Sequence, residues 1–418
     1  MTGQTAGQVT GQVRGRGARR GRSLAALAAL GSVRTAMLAT GASPFGVAAT
    51  PDGRWAFVAR AGSGPSAGTV DVLRLGAGSG PSAGPAATLV RSISLPVAPL
   101  GATITPDGKY LLVAAGSGAA VIDVARAEAG TPGALLGTLT APARSGSSGP
   151  SNRSADLGSA IEVAVSPDGR FAFVTLEYAD EAVVFNLAGA LSRGFGAADY
   201  VGAIPLGQAT VGVAVSPDGR WLYATSESAV QGQLAPQLTS PGKCAGRVPG
   251  TEAGEPPGTL TVIDLPRAET DPAHSVVATV PAGYQPVRVV TSADGTQVWV
   301  TARASDDLLC FSAARLASDP ARALVAIVRV GSEPVGLAAV RGGALIVVAD
   351  SNRFGASGAG SALTVVNVAA ALAGRAAVAG QITTGQFPRD MTVSPDGTLL
   401  VSDFSSGQVQ TVGTATLP

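Results

Sequence analysis

The octapeptide VAVSPDGR spans residues 163 to 170 and recurs letter for letter at 213 to 220. Relatives of the phrase run along the whole chain: AATPDGRW from Ala48, TITPDGKY from Thr103, VVTSADGT from Val289 and MTVSPDGT from Met391. A seventh copy has lost the turn letters and keeps the setting. EPVGLAAVRGGALIVVA from Glu333 matches SPFGVAATPDGRWAFVA from Ser43 in apolar pattern and in its Pro and Gly. Self-similarity repeated this often marks an array of like units, so 418 residues need not mean several unrelated domains.

Each copy reads as strand, turn, strand. In Ser/Thr-Pro-Asp-Gly the hydroxyl caps the turn, Pro presets φ, Asp tolerates the next position and Gly takes the left-handed one. Asp52, Asp107, Asp168, Asp218, Asp294 and Asp396 are therefore turn residues and not metal or acid-base groups. A third strand follows in every copy, as in AAVIDVA from Ala119 and LTVIDLP from Leu260, and a fourth lies between copies, as in SVVATVPAG from Ser275. Aromatics at 4% and 56 glycines suit many short strands and tight turns. A four-stranded sheet cannot bury both faces alone, and radial stacking solves that while leaving only short edges. The expectation is an all-β, seven-bladed β-propeller of four-stranded antiparallel blades over residues 33–418. VRTAMLATG from Val33 precedes the first copy and the last copy stops after three strands, so one N-terminal strand should join three C-terminal strands and close the ring.

Residues 1–32 read as a disordered basic or targeting segment. Arg14, Arg16, Arg19, Arg20 and Arg22 lie there without an acid, and removing those five from the overall +1 leaves about −4 on the rest. A body of that charge is not built to neutralise phosphates, so no nucleic-acid partner is expected. Arg19-Arg20 ahead of SLAALAALG loosely fits a twin-arginine export signal, and the compartment stays open between export and cytoplasm. No run reaches the roughly 18 apolar residues a membrane span needs. The Gly/Ser/Pro tracts, with the longest insertion at about 231–258, read as surface loops.

Candidate chemistry is sparse. The two GPSAG stretches around Ser66 and Ser82 match a hydrolase nucleophile pattern in letters only, because they sit in low-complexity loops and the chain has one histidine, His274. One histidine also rules out a multi-histidine metal site, and no metal or cofactor is expected. Cys244 and Cys310 read as two free thiols.

Aligning the copies on the turn defines a column near the axis: Gly46, Gly101, Glu162, Gly212, Arg288, Gly336, Asp390. Four glycines suit a crowded axis, whereas three charges there must pair or bind something. Glu162, Arg288 and Asp390 should face one another at the channel mouth where the inner strands begin, with Arg288 as an anion anchor. Arg389, Arg303, Glu177, Glu227, Arg60 and the Asp350 to Arg353 loop form a candidate second ring.

The pattern PxGVAVSPDGRxxYVT followed by a strand ending in VID resembles the YVTN-type repeats of lactonase-like seven-bladed bacterial propellers. FVTLEYADEAVVFNL from Phe173, YATSES from Tyr223 and WVTARASDDLLCF from Trp299 carry the likeness, and Leu176, Ser226 and Ala302 stand where that family has Asn. The resemblance implies the propeller fold over roughly residues 33–418. It leaves function between two expectations, since the fold group hosts enzymes and binders alike. One is a monomeric, non-enzymatic scaffold binding a small polar ligand, a peptide or a protein on its loop-rich face. The other is a hydrolase of sugar lactones at the channel mouth.

Overall fold

In every intact copy the turn hydroxyl and the turn aspartate grip each other. Thr50 Oγ1 donates to Asp52 at 2.6 Å and accepts the Trp55 N–H at 3.1 Å, while Asp52 accepts the Arg54 N–H at 3.0 Å. The hydroxyl–carboxylate bond and the backbone N–H on the carboxylate recur at Asp107, Asp168, Asp218, Asp294 and Asp396, and the six turn glycines take φ between 69° and 83°. These bonds favour the ionised carboxylate. Asp52 is held down to about 2, its bond from Thr50 leading the causes, and the other five are lowered as well.

The computed structural model describes residues 28–31, 33–64, 67–77, 85–142, 160–230, 232–234, 256–355 and 360–418. Within them, twenty-eight strands form seven four-stranded antiparallel sheets. Blades 1 to 6 begin at the inner strands Pro44–Ala49, Pro99–Ile104, Ala160–Val165, Gln208–Val215, Pro286–Thr291 and Pro334–Val340. Blade 7 consists of Pro388–Val393, Thr398–Asp403 and Gln408–Gly413, with Thr35–Ala39 paired antiparallel to the last of these. Each inner strand touches the next around the ring, including blade 7 against blade 1. Seven apolar clusters lie between neighbouring blades, each drawing residues from two of them, and an eighth sits on the axis.

Two details lie beyond the all-β reading. Short helices follow the third strand in blades 2 to 6, four of them capped by the last residue of that strand: Asp123, Asn186, Asp264 and Asn367 accept the N–H groups of Arg126, Gly189, Arg267 and Ala370. The Asp of VID is thus a helix N-cap. In addition, Leu30 N–H donates to Gln381 O at 2.8 Å and Leu30 packs on the core between blades 6 and 7. The chain therefore touches the ring before residue 33. The arginines at 14–22, both GPSAG serines, Cys244 and most of the 231–258 insertion lie outside the described residues.

A hydroxyl in the second strand ties blade to blade. Thr225 Oγ1 accepts the Gly212 N–H within blade 4 at 2.9 Å and donates to Val287 O of blade 5 at 2.8 Å. Thr175, Thr301 and Ser402 do the same, and Ser402 donates to Phe45 O across the junction of the last blade with the first. At Gly212 a Cβ would collide with the Val287 carbonyl, so glycine allows this approach.

Candidate functional site on the channel axis

All seven inner strands break register midway, between 44 and 47 in blade 1 and at the matching places elsewhere, ending with 388 and 390 in blade 7. Such bulges re-aim side chains. They fall on the column singled out from the sequence, which places it at a waist inside the channel and not at its mouth.

Glu162, Arg288 and Asp390 meet there. Arg288 Nη2 lies 2.7 Å from Glu162 Oε2, and Arg288 Nε lies 3.7 Å from Asp390 Oδ1. Asp390 Oδ2 also accepts the Val47 N–H of blade 1 at 3.0 Å. The two Arg288 contacts are close charge contacts off the N–H directions: Arg288 Nε, Nη1 and Nη2 and Glu162 Oε2 are buried without an aligned hydrogen-bond partner. Burial pushes the Glu162 carboxyl up to about 7, with Arg288 opposing and Asp390 adding to the rise. Asp390 is raised too, again chiefly by burial.

One place earlier in each strand stands a collar of Phe45, Leu100, Ile161, Val211, Val287 and Val335, with Arg389 in the seventh position. The Arg389 guanidinium lies 3.7 Å from the Phe45 ring centroid, 5.3 Å from that of Phe387 and 5.7 Å from that of Phe404. Sequence reasoning missed this aromatic cage. Reading the repeat alignment one column further would have exposed the collar, although not the approach of Phe387 and Phe404.

A cavity of about 550 Å³ extends from the charged waist to the turns at Pro51 and Pro106, on the face opposite the strand starts. Its walls are mostly Val, Ala and Thr, and Glu162, Arg288 and Asp390 are the charged residues in its lining. The larger cavity thus occupies the turn side, whereas the sequence reading looked to the strand-start mouth. On that other side is a cavity of about 110 Å³ lined by Glu177, Glu227, Arg303, Arg353, Phe354 and Arg389, with the back of Arg288.

The remaining candidates separate. Arg303 Nη2 lies 2.9 Å from both oxygens of Glu227 and 3.0 Å from Gln285 Oε1. Asp350 does not join them: buried inside blade 6, it accepts the Gly331 N–H at 3.0 Å and the Thr364 hydroxyl at 2.5 Å. Arg60 likewise pairs with Asp71 within blade 1. His274 is exposed and bonded to Asp271 at 2.8 Å, and Cys310 is a free buried thiol pushed up to about 12 by burial. Among the described residues no three His, Cys, Asp or Glu side chains are grouped to hold a metal ion, and no helix is long and apolar enough to cross a membrane.

No protein-family model matches the sequence, and a search of curated proteins finds no match. Among solved structures, a chain of the Kuenenia stuttgartiensis hydrazine synthase superposes with a TM-score of 0.61 at 15% identity, over 90% of this chain and 96% of that one. At that identity the likeness shows the propeller fold alone.

Proposed function

We propose that the protein is a non-enzymatic propeller scaffold that binds a small organic ligand on the channel axis. Arg288 anchors an anionic group of the ligand, Glu162 and Asp390 hydrogen-bond beside it, and the apolar walls take the ligand's body. The observation carrying this reading is the buried Arg288 guanidinium, paired with Glu162 through Nη2 and with Nε and Nη1 lacking aligned acceptors, at the floor of a cavity of about 550 Å³. That volume falls within the roughly 300–1,000 Å³ usual for small-molecule sites, and buried donors without acceptors cost free energy that a ligand's oxygens recover.

A panel of small carboxylates, screened by thermal shift and followed by calorimetry, tests it. At least one should bind, and Arg288→Gln should weaken that binding by about tenfold or more, as loss of a charge-assisted bond does. Absence of binding across the panel, or binding indifferent to Arg288→Gln, refutes the reading.

A second reading is favoured by the Glu162 carboxyl, which near 7 is poised to give or take a proton at neutral pH. Together with the YVTN-type resemblance, that supports a lactonase-like hydrolase. Acid release from a series of sugar lactones decides between them: turnover lost in Glu162→Gln with the fold intact establishes the enzyme, and no turnover leaves the scaffold.

A further inference from the structure

The small cavity on the strand-start side has a charge imbalance of its own. Four guanidinium groups and two carboxylates line it. Glu227 is engaged by Arg303, and Arg288 is held from the opposite side by Glu162 and Asp390. Arg353 and Arg389 remain, with Glu177 as the carboxylate left to balance them. Burial raises the Glu177 carboxyl and Glu227 raises it further, which weakens that balance. Among the described residues neither Arg353 nor Arg389 has an ion-pair partner, and both lie against aromatic rings instead.

The donors are also unsatisfied. The Nε atoms of Arg389 and Arg303 are buried without a hydrogen-bond partner, and Arg303 is only 9% exposed. Burial destabilises the Arg389 cation, followed by repulsion from Arg288 and Arg353, and pushes it down to about 9. It therefore remains charged at neutral pH, and an anion beside it relieves both burial and repulsion. A cavity of about 110 Å³ is below the size of an ordinary organic-ligand site.

We propose that this cavity binds a tetrahedral oxyanion, held by Arg389, Arg353 and Arg303, either as free phosphate or sulfate or as the phosphate group of an organic ester whose body extends past Phe354. Phe354 is 64% exposed at its edge, with the Arg353 and Arg303 guanidinium groups 5.2 and 5.9 Å from its ring centroid. This site differs from the one proposed for an organic ligand in cavity, face and principal residues.

Thermal shift and calorimetry on the full chain test it with inorganic phosphate, sulfate and glycerol phosphate, against sodium chloride at equal ionic strength. An oxyanion should raise the melting temperature beyond the chloride control, and a tighter grip on glycerol phosphate than on inorganic phosphate would identify the ester as the source. Arg353→Gln, at an exposed position that tolerates change, and Arg389→Gln should each weaken binding by about tenfold. Glu177→Gln should tighten it several-fold by removing a competing charge, and Arg322→Gln, at an exposed arginine outside both cavities, should leave it unchanged. Equal shifts with chloride and the oxyanions, or oxyanion binding that survives Arg353→Gln, would overturn the proposal. Neither result bears on the carboxylate panel, so the two sites stand or fall separately.

Discussion

At the scale of single residues, the waist is governed by one guanidinium between two carboxylates. Removing one member of a buried ion pair leaves charge without compensation, typically at a cost of about 3–5 kcal/mol. Arg288→Met should approach that loss at pH 8, where Glu162 and Asp390 must ionise without their cation. At pH 5 the Glu162 carboxyl, which burial raises to about 7, stays protonated, and Asp390 is raised in the same direction, so the loss should be smaller. Urea denaturation at the two pH values measures the difference, and an equal loss at both would show that these carboxyls do not titrate with folding. The three residues were legible in sequence because repeat alignment compares equivalent positions, and charge stands out against Gly46, Gly101, Gly212 and Gly336. Asp350 shows the limit of that approach. Its charge marked it, but its bonds to Gly331 and Thr364 are a matter of blade geometry.

At the scale of elements, the threonine of the YVT-like strand acquires a physical role. Its hydroxyl closes a bond within one blade and opens another to the next, at Thr175, Thr225, Thr301 and Ser402, while Ala59, Ala114 and Ala349 hold the same place in the other three blades. Thr225→Val keeps the shape and removes both bonds, leaving the Gly212 N–H and the Val287 carbonyl short of a partner. Buried groups left this way cost about 1–3 kcal/mol, so chemical denaturation should show a loss of that order, and a neutral outcome would deny the hydroxyl its bridging role. The strands and turns were readable because alternation and Pro-Asp-Gly are local codes. The short helices were not, because four to seven residues after VID are too few to show a period.

At the scale of the whole molecule, two sets of carboxyls pull stability in opposite directions with pH. Burial raises Glu162 and Asp350 to about 7 and Asp307 and Asp403 to about 6. As pH climbs from about 4 to 7 the unfolded chain releases protons that the fold still holds, so their contribution declines across that window. The turn aspartates behave inversely: their lowered values add stability above the usual 3.8 that is lost as pH falls toward 2. The melting temperature should therefore peak near pH 4–5 and fall toward pH 8, and Asp350→Asn should flatten the fall. A melting temperature rising steadily from pH 5 to 8 would contradict this balance.

The sequence by itself determined the number of blades, the chemistry of each turn and the column from which Glu162, Arg288 and Asp390 approach the axis. Those properties are written locally and repeated, so one copy interprets another. Only the tertiary structure decided that the column lies at a bulged waist, that the larger cavity opens on the turn side, and that Arg389 is caged by Phe45, Phe387 and Phe404. The physical reason is ring closure. It brings residue 45 against residues 389 and 404 and strips water from charges that look ordinary in sequence, and desolvation depends on neighbours that no local pattern names.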